Sequence, residues 1–296
     1  MLAMKLGDFD GAGTVGGILD FADGDADVAL ELAFYHGNGF GEASNRRFAR
    51  LPEARKSVHL NHRQYSLLDF AGDGRHRAEA RLATDMAFMD RLGIGGGAVI
   101  HAARDKSLDL GMHPETGETV VYSLPPVASV RDGMLHAADR MGQRGPLFIE
   151  NTYESLAWFR DLFAGLAGRG LEGRVGFCLD IGHARVWNSR PLPEWLDFCG
   201  DLSGQGFRLH AHVHCNAGDR DSHLPLSEGQ RLGLFAPSIG YAPNGLLQEI
   251  VRLDALCSDE CLVLENHSSH ATANLEWTRN IVASRAGLHP VQHVPA

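Results

Sequence analysis

Eight short apolar runs alternate with amphipathic helical stretches along the chain, and this repeat limits the possible folds more than any other feature. The runs cover Met4–Phe9, Asp27–Tyr35, Lys56–His62, Gly97–Ala102, Pro146–Thr152, Val175–Gly182, Phe207–His214 and Cys261–His267. The clearest helical stretches, with apolar residues three and four apart, cover Arg77–Leu92, Val130–Met141, Ser155–Leu166 and Gly245–Leu256. Strands that alternate with helices predict a parallel sheet, and eight such strands can close a (β/α)8 TIM barrel. A doubly wound open sheet is the alternative.

The 296 residues fit one barrel domain, because that fold takes about 250 residues and no linker or low-complexity tract divides the chain. We therefore predict a single domain over residues 1–296. Two long segments, Asp105–Pro126 and Ala217–Pro243, follow the fourth and seventh predicted strands. Both should lie at the C-terminal mouth of the barrel, where enzymes of this fold place their active sites.

Charge, hydropathy and cysteine content exclude several classes of protein. The net charge of −10 argues against a general polyanion-binding surface, although it allows a local basic groove. No apolar run approaches the ~20 residues of a membrane span, and the first residues lack a signal-peptide pattern. The five cysteines are odd in number and show no zinc-ribbon spacing. Free thiols in a cytoplasmic protein without a membrane partner are therefore expected.

Side chains that can bind metal stand at the ends of six predicted strands. They are His62, His101, Glu150, Asp180 with His183, His212 with Asp221 and His223 in the loop behind it, and Glu265. A carboxylate that directly follows three apolar residues is costly to bury unless it is paired. A barrel gathers these ends on one rim, where divalent cations would offset the repulsion between carboxylates. Taken singly, each residue has a structural explanation as a core histidine, a helix cap or a solvated loop residue.

Further histidines compete with this set, namely His59, His210, His214 and His267. Strand alternation places His59 on the face opposite His62, which makes His59 the weaker candidate. His210 and His214 have the same parity as His212, so periodicity cannot separate these three.

Two neighbours of the set are candidate substrate-binding residues. Tyr65 lies three residues after His62, and Asn151 directly follows Glu150. Packing of the tyrosine in the core and hydrogen bonding of the asparagine at its strand end explain these positions equally well.

Three motifs resemble those of the xylose isomerase-like TIM barrel superfamily, which includes sugar isomerases and epimerases and the endonuclease IV group (AP endonuclease family 2). They are Glu150-Asn151-Thr152, Asp180-Ile181-Gly182-His183 and Asp221-Ser222-His223-Leu224-Pro225-Leu226 followed by Glu228-Gly229. The resemblance runs from about His59 to Glu265. The second and third motifs look most like those of proteins called sugar phosphate isomerase/epimerase.

The resemblance implies two different ligand sets. Sugar isomerases and epimerases of the superfamily bind one metal ion, through positions that fall on Glu150, Asp180, His212 and Glu265. In the epimerases, the two glutamates also act as acid and base. Endonuclease IV holds three zinc ions and adds ligands that fall on His62, His101, His183, Asp221 and His223. Tyr65 matches a tyrosine in its DNA-contacting loop.

Two departures weaken the resemblance to endonuclease IV. The seventh strand reads His212-Val213-His214-Cys215 where that enzyme usually has His-Leu-Asn-Asp. Its arginine-containing DNA loop has no clear counterpart, since nothing fixes the register of Arg46 and Arg47.

The leading hypothesis is a divalent-metal-dependent isomerase or epimerase of a small sugar or sugar phosphate. Glu150 and Glu265 would move the proton while the metal stabilises an enediolate. The alternative is a metal-dependent phosphodiesterase acting on abasic-site DNA. A non-enzymatic metal-binding protein, or another lyase-like or oxidative activity, also stays open. We expect roughly one to three ions of zinc, manganese, magnesium or cobalt per chain.

Overall fold

Strands and helices alternate throughout the part of the chain that the computed structural model describes, which comprises residues 1–36, 39–104, 108–112, 119–186, 192–216, 221–233, 245–257 and 261–286. The strands are β1 (Leu2–Gly7), β2 (Val28–Ala33), β3 (Lys56–His59), β4 (Ala98–His101), β5 (Asp109–Met112), β6 (Thr119–Ser123), β7 (Leu147–Glu150), β8 (Val175–Asp180), β9 (Arg208–Val213) and β10 (Leu262–Leu264). Eight of them close a parallel barrel in the order β1-β10-β9-β8-β7-β4-β3-β2. The (β/α)8 prediction is confirmed, and the open-sheet alternative is wrong.

The helices form the outer layer of the barrel. They are α1 (Ala12–Gly24), α2 (Glu42–Phe48), α3 (Arg75–Leu92), α4 (Val127–Met141), α5 (Leu156–Leu166), α6 (Ile181–Val186), α7 (Leu192–Gly204), α8 (Leu226–Arg231), α9 (Gly245–Leu256) and α10 (Ala271–Ala286). Each long helix buries one apolar stripe; on α4 this stripe is Val130, Met134, Ala137 and Met141. The four helices predicted from periodicity are present within a few residues of their expected bounds.

The strands are buried on both faces, since the helices cover them outside and their own side chains fill the barrel inside. Every residue of β1, β2 and β8 is buried. The parallel register aligns the strand ends. His101 of β4 lies beside Glu150 of β7, and Asp180 of β8 lies beside His212 of β9.

The third strand ends earlier than predicted, and this changes the ranking of two histidines. β3 stops at His59, and the His62 N–H donates to Leu60 O (2.7 Å) in a tight turn. Asn61 fixes the turn by donating from Nδ2 to Phe34 O (2.7 Å). Strand alternation therefore does not extend to His62, and the placement of His59 on the opposite face is wrong.

The two long segments contain regular structure of their own. β5 and β6 form an antiparallel pair inside Asp105–Pro126, and α8 lies inside Ala217–Pro243. Residues 105–107, 113–118, 217–220 and 234–243 of these segments lie outside the described residues. Within the described part of the chain, no helix is long and apolar enough to span a membrane. All five cysteines are buried and none forms a disulfide, as the sequence predicted.

Candidate metal centre

Four side chains from neighbouring strand ends converge at the C-terminal mouth, and we call them the central group: Glu150, Asp180, His212 and Glu265. Each offers a ligand atom within 4.8 Å of the others. His212 Nδ1 lies 3.2 Å from Glu150 Oε1 and 2.7 Å from Glu265 Oε2. Glu150, Asp180 and His212 are buried, whereas Glu265 stays partly open to the mouth. This group has the composition of a site for one divalent ion.

A second set, the histidine group, flanks Glu150 and consists of His59, His62 and His101. The second carboxylate oxygen of Glu150, Oε2, lies 2.9 Å from His59 Nε2 and 3.1 Å from His101 Nε2. His62 stacks on His101, with ring centroids 4.3 Å apart. His59, which the sequence analysis ranked below His62, is thus the histidine of this pair that contacts Glu150.

A third set, the loop group, flanks Asp180 and consists of His183, His214, Asp221 and His223. Asp221 Oδ2 lies 2.7 Å from His223 Nε2 and 3.3 Å from His183 Nε2. His214 Nε2 lies 3.0 Å from Asp180 Oδ1. Gly182 is required beside it, because any Cβ there would overlap the His214 ring. All nine predicted ligands fall in these three groups, together with His59 and His214.

Two charged side chains support the groups, and the sequence analysis missed them. Lys5 Nζ lies 2.5 Å from Glu265 Oε1 and 3.5 Å from Glu31 Oε1. Glu31 Oε1 in turn lies 3.0 Å from His212 Nε2, and Glu31 Oε2 lies 3.0 Å from His210 Nε2. Each is a single charge inside an apolar strand, Ala-Met-Lys-Leu-Gly and Ala-Leu-Glu-Leu-Ala. Both follow three apolar residues, so the burial argument used for Glu150 and Glu265 would have identified Glu31 and, extended to cations, Lys5.

The remaining candidates lie outside these groups. Tyr65 is buried in the core, where its hydroxyl donates to Asp85 Oδ2 (2.7 Å). Asn151 donates from Nδ2 to Asp180 O (3.0 Å) and accepts from Asp180 N–H (2.7 Å). Both contacts match the structural explanation of these residues. His267 lines the mouth and accepts at Nδ1 from the Ser269 N–H (3.3 Å).

The buried carboxylates hold protons on the imidazoles beside them. Burial alone raises the pKa of Glu150, but His212 and His101 lower it to a value well below the usual range. Burial lowers the pKa of His212, but Cys178 and then the carboxylates of Glu31, Glu265 and Glu150 more than reverse this, so that its pKa lies well above the usual value. The pKa of His223 rises to about 9, because Asp221 and Glu265 outweigh its burial. The clustered negative charge therefore calls for cations.

The donor set fits divalent metal. Imidazole and carboxylate together suit zinc, manganese and cobalt, and a bound cation would supply the charge that the protonated histidines otherwise carry. Two buried imidazole nitrogens, His62 Nδ1 and His214 Nδ1, have no hydrogen-bond partner among the described residues. Such nitrogens are available as ligands.

A cavity of about 440 Å³ opens directly above the groups. Its wall adds Phe9, Tyr35, Arg63, Tyr153 and Ser268 to the metal-binding candidates. Phe9 is 53% exposed and stacks on Tyr35, with ring centroids 5.9 Å apart. The volume is in the range of small-molecule sites, and aromatic faces beside polar groups suit a sugar ring.

No family model matches the chain, and no curated protein is detectably similar to it in sequence. Solved structures are similar in fold. The TTHB071 protein from Thermus thermophilus, soaked with ZnCl2, is 20% identical over 98% of this chain and 100% of its own, with a TM-score of 0.64. Endonuclease IV from the same organism is 18% identical over 96% and 99%, with a TM-score of 0.57. D-allulose 3-epimerase from Methylomonas sp., in complex with D-allulose, is 12% identical over 97% and 96%, with a TM-score of 0.54. At these identities the likeness establishes a fold shared with endonuclease IV and sugar epimerases, and no more.

Proposed function

We propose that the protein is a divalent-metal-dependent isomerase or epimerase of a small sugar or sugar phosphate. The observation that carries the proposal is the placement of Glu150 and Glu265. Both reach the same nitrogen, His212 Nδ1, from strands on either side of β9, and both line the 440 Å³ cavity. Two carboxylates that face one substrate site can remove a proton from carbon and return it.

The central group would hold the metal, through Glu150, Asp180, His212 and Glu265. A divalent ion there would bind adjacent substrate oxygens and stabilise the negative charge that develops as the proton leaves carbon. The histidine group and the loop group offer positions for further ions.

The surroundings keep both glutamates ionised, which both metal binding and the acceptance of a proton require. Burial raises the pKa of Glu265, but Lys5 and His212 lower it to a value well below the usual range. Lys5 contacts Glu265 directly, whereas Glu150 has His59 and His101 at its other oxygen. The two glutamates therefore have different charged neighbours. In the proposed reaction, one removes the proton and the other returns it.

Phosphodiester hydrolysis on abasic-site DNA is the second candidate, and one observation favours it. Both flanking groups lie beside a carboxylate of the central group, and adjacent metal ions are a recurring device for phosphoryl transfer. A duplex substrate, however, requires several neutralised phosphates, whereas the chain has a net charge of −10.

Solvent exchange tests the proposal. The metal-loaded protein is incubated in deuterated buffer with a panel of pentoses, hexoses and their phosphates, and deuterium at carbon is measured by mass spectrometry. We expect incorporation in at least one sugar, a loss of about 100-fold or more in Glu150→Gln and Glu265→Gln, and normal activity in Glu172→Gln, which removes an exposed carboxylate. Metal-dependent nicking of an abasic-site duplex that Glu265→Gln abolishes, without exchange into any sugar, would instead establish the second candidate.

A further inference from the structure

A second cavity, of about 550 Å³, adjoins the candidate metal centre, and we call it the arginine groove. Its polar lining consists of Arg63, Gln64, Arg77, Arg81, Thr84 and Arg104. Arg63 and Gln64 lie in the loop after β3, and Arg104 follows β4. The other three belong to α3, the helix that connects these two strands. The groove therefore lies at the mouth of the barrel, on the side of the histidine group.

Among the residues that the structure describes, only part of the positive charge of the arginine groove is paired with carboxylates. Arg104 forms a two-pronged pair with Asp69, from Nε (3.0 Å) and from Nη2 (2.8 Å). Arg63, Arg77 and Arg81 form no ion pair with any residue that the structure describes, and no carboxylate lines the groove. In a chain with a net charge of −10, this local excess of cations stands out.

The position of the arginines on α3 adds to the imbalance. The first turn of α3 contains no acidic residue, although the N-terminal end of a helix carries partial positive charge and favours anions. Arg77 and Arg81 are also four residues apart on one helix face, where like charges repel. Arg75 avoids this situation by pairing with Glu79 at 2.9 Å. An anion in the groove would relieve both unfavourable interactions.

Arg63 connects the arginine groove to the candidate metal centre. It lines both cavities, and its guanidinium carbon lies 5.2 Å from the centroid of the Tyr35 ring. Tyr35 in turn packs edge-on against His62, with ring centroids 5.0 Å apart. Arg63 thus faces both cavities, and Tyr35 lies between its guanidinium group and His62.

We propose that the arginine groove binds the phosphate group of a phosphorylated sugar whose reacting carbons lie at the central group. The inference rests on the proposed function and narrows its substrate class from sugars to sugar phosphates. Guanidinium groups match the oxygens of phosphate with paired hydrogen bonds, and Gln64 and Thr84 supply neutral donors. A groove of this size with three unpaired cations suits one phosphate better than the long backbone of a duplex.

Binding of inorganic phosphate tests the groove directly. Titration calorimetry on the full chain, stripped of metal so that phosphate cannot bind to an ion, compares wild type with the double variant Arg77→Gln/Arg81→Gln. We expect binding that weakens about tenfold or more in the double variant and with rising salt. Arg50→Gln removes an exposed arginine behind α2, at the opposite end of the barrel, and should bind like wild type. Equal affinity in all three proteins, or no binding at all, would overturn the proposal.

The source of the phosphate is tested on metal-loaded protein with three probes: a pentose 5-phosphate, the same pentose without phosphate, and an abasic-site duplex. We expect the double variant to lose affinity for the sugar phosphate alone. A duplex that binds wild type tightly and depends on Arg77 and Arg81 would overturn the proposal in favour of nucleic acid. Phosphate binding that depends on these arginines, without deuterium exchange into any sugar, would support the groove and refute the proposed function.

Discussion

Glu31 on β2 reaches across the barrel interior to His212 on β9, and its Oε1 lies 3.0 Å from His212 Nε2. The opposite nitrogen, Nδ1, faces Glu150 and Glu265. A carboxylate behind a ligating histidine fixes the ring orientation and its tautomer, and it raises the basicity of the free nitrogen. If the central group binds metal as proposed, Glu31 is a positioning residue for it.

Glu31→Gln should weaken metal binding at the central group by roughly 10- to 100-fold, because the amide cannot orient His212 as a carboxylate does. Metal affinity is measured by competition with a chromophoric chelator, and the melting temperature of the metal-free protein serves to separate folding from binding. Glu172→Gln is the matched control. Unchanged affinity in a folded Glu31→Gln protein would show that His212 needs no such support.

Removal of metal should lower the melting temperature of wild type. A ligand at about 100 times its Kd stabilises the folded state by about 2.7 kcal/mol, and this is lost on chelation. Asp180→Ala removes one ligand of the central group, so metal should raise its melting temperature much less than that of wild type. Calorimetric scans with zinc, manganese and excess chelator measure both effects. Identical responses in the two proteins would remove Asp180 from the metal centre.

His59→Ala should lower the number of metal ions per chain more than His62→Ala does. His59 shares Glu150 Oε2 with His101, whereas the His62 ring packs against the rings of Tyr35, His59 and His101 and forms no ion pair with a described carboxylate. Elemental analysis after gel filtration gives the stoichiometry of each metal-loaded variant, with His76→Ala, a fully exposed histidine, as control. A larger loss of metal in His62→Ala than in His59→Ala would show that His62 is the stronger ligand, as the sequence analysis ranked the two.

Asp85→Asn should change how stability depends on pH. Burial raises the pKa of Asp85 from 3.8 to about 6, with Tyr65 and Asn61 opposing the shift. Since the folded protein then binds a proton more tightly than the unfolded chain, wild-type stability should fall relative to Asp85→Asn as the pH rises from about 4 to 6. Across this range the stability difference should shift in favour of the variant by on the order of 3 kcal/mol.

Urea titrations of wild type and Asp85→Asn at pH values from roughly 4.5 to 7.5 measure this difference, because Asp85 should ionise in the folded protein within this range. The metal centre titrates equally in both proteins and cancels. A difference in unfolding free energy that stays flat over this range would show that the carboxyl of Asp85 ionises normally.

Gly133→Ala should destabilise the fold by about 2 kcal/mol or more. The new Cβ would overlap the carbonyl oxygen of Leu67, because α4 packs backbone to backbone on the short helix Leu67–Ala71. Gly17→Ala is the matched control on α1, where a Cβ meets no atom within 4 Å, and it should stabilise by roughly 0.5–1 kcal/mol. Equal denaturation midpoints for the two variants would show that α4 can shift away from Leu67.

The barrel and its ligand-rich mouth were predictable because both depend on patterns local to each strand. Apolar runs gave the strands, and a carboxylate or histidine after such a run marked the rim. The position of His59 was not predictable, since a turn between Leu60 and His62 depends on an asparagine that binds carbonyls of the preceding loop. Periodicity contains no information about that contact.

The partners of buried residues were also hidden from the sequence. His210, His212 and His214 have the same parity, yet His210 binds Glu31 below the centre while His214 binds Asp180 beside it. The partner of each histidine depends on its position along β9 relative to the neighbouring strands, and this position is known only once the strand register is known. Likewise, Arg63, Arg77 and Arg104 are far apart in sequence and become neighbours only when β3, α3 and β4 pack together.

The contact between Lys5 and Glu265 joins residues that are 260 positions apart. Lys5 lies on β1 and Glu265 directly follows β10, and the pairing of these two strands closes the barrel. During synthesis the chain therefore emerges with Glu150, Asp180 and His212 long before Glu265, and the central group remains incomplete on the ribosome. A metal ion bound by all four side chains of the central group would therefore be loaded only after β10 has paired with β1.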